Sequence, residues 1–128
     1  MRVCVDITST IDVVKARRDA RTLAIEIGFL PAERAMITAA VSELARNILD
    51  YAGDGEILLS RCQNGSRPGI VVIAQDSGPG IPNVAFVLQA GYAVSTLGLR
   101  GVRVLMDQVE VISEIGKGTT VTARKWRT

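Results

Sequence analysis

The stretch from Pro31 to Gly53 most constrains the fold of this chain, because it predicts one long amphipathic helix. Its apolar side chains recur at helical spacing, at Ile37, Val41, Leu44 and Ile48. This spacing places them on a single face, and that face has to pack against a core. Pro31 suits the first turn of such a helix, and Gly53 suits the position just past its last turn. The rest of the chain must therefore supply a core for this helix.

Two polar residues of the same helix, Glu43 and Asn47, lie outside the apolar stripe. At about 100° per residue they sit one turn apart, roughly 90 to 130° from the centre of the stripe. A carboxylate and an amide are thus presented side by side at the edge of the core. The helix alone favours a structural role, in which both side chains hydrogen-bond to neighbouring elements, so other motifs have to decide.

The remaining segments predict a sheet covered by helices. Ile70–Ala74 is an unbroken apolar run, which indicates a central strand. The other predicted elements are a strand at Val3–Ile7, a helix from Ser9 or Thr10 to Gly28, a strand at Glu56–Cys62, a helical stretch at Val84–Ala90, a loop at Gly91–Gly101, a helix at Leu99–Met106 and a hairpin of Val109–Ser113 with Thr119–Lys125. We therefore predict one α/β domain over residues 1–128. It is a two-layer α+β sandwich with a mixed, mostly antiparallel sheet and helices on one face.

Composition narrows the chemistry that the chain can perform. It contains no histidine, which excludes histidine-based triads, histidine–zinc sites and phosphohistidine, so acid–base work falls to carboxylates. The net charge of +2 is too small to indicate nucleic-acid binding. The basic end Arg124–Arg127 is predicted to be a solvated strand end. The basic side of the first helix, at Lys15, Arg17, Arg18 and Arg21, is predicted to be solvated, with an acidic partner as the alternative.

Compartment and cysteine usage are also constrained. No apolar run approaches the roughly 20 residues of a membrane span, and the N-terminus has no charged-then-apolar signal pattern. We therefore expect a cytoplasmic protein without membrane contact. Cys4 and Cys62 have neither metal nor redox spacing and are predicted to be buried, reduced thiols.

Three separated motifs favour a functional role over a structural one for Glu43 and Asn47. They are Glu43-x-x-x-Asn47 on a helix, Asp76-x-Gly78-x-Gly80 after the central strand, and Gly116-x-Gly118-Thr119 between the last two strands. Each motif alone is a weak signal. In this order and at these separations they cover nearly the whole chain, and together they resemble the Bergerat (GHKL) ATP-binding fold shared by gyrase, Hsp90, MutL and histidine kinases.

A narrower resemblance is carried by Ser42–Ile48, Asp76–Pro82, Gly101–Asp107 and the pair Lys125-Trp126. These segments are similar to the small serine/threonine kinases of the anti-sigma-factor class, and above all to the stressosome switch kinases. The resemblance implies a kinase that uses ATP and Mg²⁺ to phosphorylate a STAS-domain antagonist held in a stressosome scaffold. Once released, the kinase would activate a downstream phosphatase or other regulatory output protein.

The resemblance also implies a role for each motif residue. Asn47 would bind ATP through Mg²⁺, for which a neutral amide oxygen is a suitable ligand. Glu43 would orient or deprotonate the substrate hydroxyl, a task that a carboxylate can perform. The adenine contacts would come from Asp76, Gly78, Gly80 and Thr119.

The segment before the last helix departs from the family pattern. Where the family has a Gly-x-Gly in a longer lid, this chain reads Thr96-Leu97-Gly98, and the segment is shorter. Phosphate could still bind to the amides of Gly98, Leu99 and Arg100, with the Arg100 side chain adding a charge-assisted contact. The alternative is a non-catalytic Bergerat module that signals by partner exchange alone.

Overall fold

A computed structural model of the chain describes residues 2–79 and 98–128. Its elements, in chain order, are β1 (Arg2–Ile7), α1 (Thr10–Ile27), α2 (Pro31–Tyr51), β2 (Gly55–Asn64), β3 (Arg67–Asp76), α3 (Gly98–Leu105), β4 (Gln108–Glu114) and β5 (Gly118–Trp126). The order and type of these elements agree with the sequence prediction. The helical stretch predicted at Val84–Ala90, and the loop after it as far as Leu97, lie outside the described residues.

The five strands form one sheet in the order β1-β2-β3-β5-β4. All four pairings are antiparallel, so the described strands include no parallel pair that would make the sheet mixed. The central position predicted for β3 is confirmed. Its register aligns one apolar row across the whole sheet, from Val5 through Ile57, Ala74 and Val121 to Val111.

The helices cover the face of the sheet that carries this row. Six small or aliphatic residues of α1 are buried: Val13, Ala16, Ala20, Leu23, Ala24 and Ile27. The stripe of α2 is buried equally well, from Ile37 at 0% exposure to Ile48 at 2%. Phe29, in the turn between the two helices, is 1% exposed and joins the same core, although the sequence analysis did not single it out. Since α2 packs against both α1 and α3, it is the middle one of the three described helices.

The start of α1 and the end of α2 lie where the sequence predicted them. The backbone N–H groups of Thr8 and Ser9 donate to the Asp12 carboxylate, at 2.9 and 3.1 Å, across the start of α1. These bonds, led by the one from Thr8, lower the pKa of Asp12 below its usual value. At the end of α2, Gly53 takes φ +86° and donates its N–H to the Ile48 carbonyl at 2.9 Å. A left-handed residue in this position favours glycine, which explains why the helix ends here.

The prediction of a solvated basic end is wrong for Lys125, which is only 8% exposed. Its Nζ donates to the Leu105 carbonyl at 3.0 Å, at the C-terminus of α3. Arg127 likewise donates from Nη1 to the Ile27 carbonyl at 3.2 Å, at the C-terminus of α1. Cations are favourable at helix C-termini, where carbonyl groups lack helical partners. The last strand thus ties two helices to the sheet.

The prediction that both cysteines are buried is also wrong. Both thiols are free, but Cys4 is exposed and Cys62 is half-buried. The reason is strand alternation: Val5 and Ile7 face the helices, so Cys4 must point to the opposite face of the sheet. Within the described residues, no helix is both long and apolar enough to cross a membrane.

Candidate functional site

Of the two polar residues of α2, Glu43 lies deeper than the predicted edge of the core, whereas Asn47 lies at that edge. Glu43 is 4% exposed, and Asn47 is half-buried. Because α2 packs against α3 as well as α1, more of its surface is covered than a single apolar stripe indicates. The helix therefore holds a carboxylate and an amide one turn apart in a largely water-excluded setting.

The amide of Asn47 has an unusual environment. Its Oδ1 is completely buried and accepts no hydrogen bond from any group in residues 2–79 and 98–128. A buried acceptor without a donor costs about 1–3 kcal/mol, so such an oxygen is expected to have a partner in the working state. A divalent cation would satisfy it, since Mg²⁺ accepts neutral amide oxygens among its ligands. The donor chemistry at Asn47 therefore fits the predicted Mg²⁺ ligand.

The second motif begins where β3 ends. Asp76 is the last residue of the strand, and its Oδ1 accepts the N–H of Gly78 at 2.9 Å. This bond fixes the plane of the carboxylate and leaves its other oxygen able to accept from a ligand. A Cβ at Gly78 would lie 2.6 Å from the Cβ of Ala52, so only glycine lets the loop pass this close to the end of α2.

The third motif lies directly against the second. Gly118, with φ +108°, passes so close to the loop that a Cβ there would lie 2.8 Å from the Cα of Ser77. Beside it, the N–H of Gly116 donates to the Pro79 carbonyl at 2.9 Å. Thr119 is the register partner of Asp76 across β5 and β3. Two motifs that are some forty residues apart in sequence are thus in contact, as the predicted site requires.

One polar residue next to this site was missed by the sequence analysis. Ser113 of β4 faces Thr119 across the last hairpin, with 2.8 Å between the two hydroxyl oxygens. Its Oγ also donates to the Gly118 carbonyl at 3.2 Å. The signal that could have found it is the hairpin itself, because pairing outward from the turn places Ser113 opposite Thr119.

The remaining predicted site residues are placed only in part. Gly80, Thr96 and Leu97 lie outside the described residues. Gly98 is the first described residue of α3, and the structure of the residues before it lies outside the description. The Leu99 side chain is 5% exposed and packs into the core, which leaves only its amide for an anion. Arg100 lies in the same turn, and its side chain is outside the description.

A cleft of 640 Å³ also opens beside Asp76, but on the other face of the sheet. Its lining includes Gln75 and Thr120, which strand alternation directs away from the helices, and it contains neither Glu43 nor Asn47. Its other acidic residues are Asp6, Asp54 and Glu56. Although Asp76 also lines this cleft, the negative charge disfavours a triphosphate, so the cleft is not the phosphate-binding part of the candidate site.

Three residues in or beside this cleft are close enough together to bind one metal ion. The ligand atoms of Cys4, Asp6 and Glu56 lie within 4.8 Å of one another. However, the Cys4 Sγ donates to Glu56 Oε2 at 3.4 Å. Desolvation, and next this hydrogen bond, raise the pKa of the Cys4 thiol above its usual value. A protonated thiol is a poor metal ligand, because the thiolate is the form that binds.

Comparisons with known proteins place this geometry in context. Residues 8–125 match the family described as histidine kinase-like ATPase domain. Over 126 residues the chain is 43% identical to the serine/threonine-protein kinase RsbT of Bacillus subtilis strain 168, and the match covers 96% of this chain and 95% of that protein.

Solved structures with lower identity share the fold. The crystal structure of the RsbU and RsbW domains of a Mycobacterium tuberculosis protein aligns with a TM-score of 0.65 at 21% identity, covering all of this chain and 33% of the other. The histidine kinase domain of a blue-light activated kinase from Erythrobacter litoralis aligns with a TM-score of 0.56 at 22% identity, covering 91% and 59%. The chain thus spans about a third of the first structure.

Proposed function

Because the chain belongs to the histidine kinase-like ATPase domain family, alongside the RsbT serine/threonine-protein kinase, we propose that it transfers the γ-phosphoryl group of Mg²⁺-bound ATP to a protein hydroxyl. The resemblance and the GHKL-type fold predicted from the three motifs are confirmed by these matches. The observation that carries the proposal is the buried Oδ1 of Asn47, which accepts no hydrogen bond from the part of the chain that the structure describes.

In the proposed mechanism, α2 supplies the two groups nearest the chemistry. Asn47 would hold Mg²⁺ through its neutral amide oxygen. A bound Mg²⁺ would supply neutralisation of the phosphate charge. Glu43, one turn earlier, orients the attacking hydroxyl and accepts its proton; the chain has no histidine that could do so.

The adenine end is assigned to the strands. Asp76, held in place by the Gly78 N–H, accepts the exocyclic amino group of adenine. Gly78 and Gly80 let the backbone approach the base. Thr119 supports this arrangement, and the contact between its hydroxyl and that of Ser113 restricts its orientation.

The phosphates are assigned to the start of α3. The amides of Gly98, Leu99 and Arg100 would bind the phosphates, because the positive end of a helix favours an anion. The Arg100 guanidinium would add a charge-assisted contact. In the family pattern a glycine stands at the position that Thr96 occupies here. The amides of α3 would take over the phosphate contact of that missing glycine.

The proposed protein substrate is a STAS-domain antagonist within a stressosome scaffold in the cytoplasm. After phosphorylation, the released kinase would activate a downstream phosphatase or other regulatory output protein. Partner switching of this kind is supported by the relation to RsbT and by the RsbU and RsbW domains of the structural neighbour. The second candidate, a non-catalytic module that only exchanges partners, is favoured by the short segment that ends in Thr96-Leu97-Gly98.

The test compares ATP binding with phosphotransfer in matched variants. Calorimetry with and without Mg²⁺ measures binding, and radiolabelled ATP with a purified STAS-domain protein measures transfer. We expect Asn47→Ala to abolish the Mg²⁺-dependent part of binding and to reduce transfer on the order of 100-fold or more. Glu43→Gln should retain ATP binding and lose transfer. Asn64→Ala, in the exposed end of β2, is the control that should change neither.

Two outcomes would separate the candidates. A folded wild type that neither binds Mg²⁺-ATP nor transfers phosphate would favour the non-catalytic module. An Asn47→Ala variant with unchanged Mg²⁺ dependence would overturn the assignment of that residue.

A further inference from the structure

The outward face of α1 exposes aliphatic side chains that the fold does not need. Ile11 is 75% exposed, Val14 is 59% exposed and Ile25 is 46% exposed. The opposite face of the helix already supplies its six buried residues to the core. This outward set therefore does not contribute to the interior of the protein.

These residues follow a regular spacing along the helix. Together with two arginines they occupy positions separated by three, four, three and four residues, namely Ile11, Val14, Arg18, Arg21 and Ile25. We call this row the α1 seam. Its spacing is that of the a and d positions of a heptad, which is the pattern by which one helix packs along another. At 1.5 Å per residue the seam is about 21 Å long.

Both charged residues within the seam are positive. Arg18 and Arg21 occupy its middle, Lys15 and Arg17 lie beside it, and Glu26 lies beside its Ile25 end. None of these four cations forms an ion pair within residues 2–79 and 98–128, and all four side chains are exposed. A partner that binds the α1 seam must therefore match both its apolar ends and its basic centre.

We propose that the α1 seam is the docking site for an acidic amphipathic helix of a partner protein. The partner's aliphatic side chains pack against Ile11, Val14 and Ile25. Its carboxylates lie opposite Arg18 and Arg21, where charge-assisted hydrogen bonds add specificity.

Charge selects this occupant over a second copy of the chain. In a parallel pair of α1 helices, Arg18 would face Arg18 and Arg21 would face Arg21. In an antiparallel pair that aligns Ile11 with Ile25, Arg18 would again face its own copy. Like charges placed directly opposite one another are destabilising, so the seam disfavours self-association.

The aliphatic residues select a protein over nucleic acid or a lipid surface. A phosphate backbone offers nothing apolar to Ile11 or Ile25, although it would attract the arginines. An interfacial helix needs a continuous apolar face to enter a membrane, whereas here the two arginines interrupt the row. A helix with acidic and aliphatic side chains satisfies both parts of the seam.

The seam is separated from the candidate site by α2. Since α2 is the middle helix, a partner on the outer face of α1 leaves α3 and the residues around Asp76 uncovered. Variants of the seam should therefore leave ATP binding unchanged, which makes ATP binding an internal control.

The test uses the full chain and three synthetic helical peptides of about five turns. The first carries leucines at its terminal a and d positions and glutamates at its centre. The second replaces the glutamates by lysines, and the third replaces the leucines by serines. Amide chemical shifts of the ¹⁵N-labelled protein report where each peptide binds, and the titration gives its Kd. Anionic phospholipid vesicles and a duplex RNA are tested alongside.

The variants separate local recognition from net charge. Arg18→Glu/Arg21→Glu reverses the centre of the seam. Arg2→Glu/Arg61→Glu makes the same change in net charge at exposed positions of β1 and β2. Val14→Ser/Ile25→Ser removes two of the three apolar contacts. Because all these side chains are exposed, we expect each variant to fold, and a circular dichroism melt checks this.

We expect the acidic amphipathic peptide to shift the amides of α1 and to bind at least about tenfold more tightly than the other two peptides. The reversal within the seam and the serine variant should each weaken its binding by about tenfold or more, and the reversal in β1 and β2 should not. Equal losses from the two charge reversals would overturn the proposal. So would the absence of shifts in α1, binding of only vesicles or RNA through Arg18 and Arg21, or self-association through the seam in sedimentation.

Discussion

The buried lysine of β5 allows a quantitative test of what holds α3 in place. Lys125→Met keeps most of the apolar stem but removes the ammonium group that donates to the Leu105 carbonyl at 3.0 Å. It also removes a 4.0 Å ion pair with Asp107, whose carboxylate stays partly in water at 41% exposure. The change therefore tests the cation at the C-terminus of α3 more than the ion pair.

The expected magnitude follows from these contacts. A hydrogen bond to a charged group contributes about 1.5–3 kcal/mol. Part of this is offset because burying an ammonium group, here with a side chain 11% exposed, costs solvation energy that the variant recovers. We therefore expect Lys125→Met to lower the free energy of unfolding by about 1–2 kcal/mol.

Lys117→Met is the matched control. Lys117 has the shorter ion pair, 3.3 Å from Glu114, but the two side chains are 73% and 67% exposed. An exposed pair of this kind contributes about 0–0.5 kcal/mol, so the shorter bridge should matter less than the longer one. Urea denaturation followed by circular dichroism measures both variants. If the two cost the same within about 0.5 kcal/mol, burial at the helix end is not what makes Lys125 stabilising.

Three further perturbations test other parts of the structure. Gly118→Ala places a Cβ 2.8 Å from the Cα of Ser77 at φ +108°, so we expect about 1–3 kcal/mol of destabilisation in urea and weaker ATP binding by calorimetry. Asp12→Asn should lower the melting temperature at pH 7. Because the pKa of Asp12 is lowered in the folded state, the difference from wild type should persist above its usual pKa of 3.8 and disappear as the pH falls through the lowered value. Phe29→Ala removes a ring that is 1% exposed and should cost about 3–5 kcal/mol in urea, whereas a loss below 1 kcal/mol would place this ring outside the core.

Some features of the candidate site could be predicted from local sequence patterns, and others could not. The residue types and their order were enough to predict Glu43, Asn47, Asp76 and Thr119 as one site, although each role stays a proposal. The buried state of Glu43 was not predictable, because it depends on the second neighbour of α2 and not on the helix's own period. Ser113 escaped notice because its importance comes from strand register, which joins it to Thr119.

Among the described residues, the sequence by itself determined the elements whose signal is periodic and local. Helical spacing identified the buried face of α2, and the turn glycines marked where α1 and α2 end. These features are readable because each depends on residues within a few positions of one another.

Only the tertiary structure decided which distant groups meet. Tertiary packing brings Gly118 against Ser77, Lys125 to the end of α3 and Arg127 to the end of α1. No local period encodes such contacts, because they arise when strand order and register bring remote segments to the same point. A basic run at a chain end therefore looks solvated in sequence, yet here two of its cations complete the C-termini of helices.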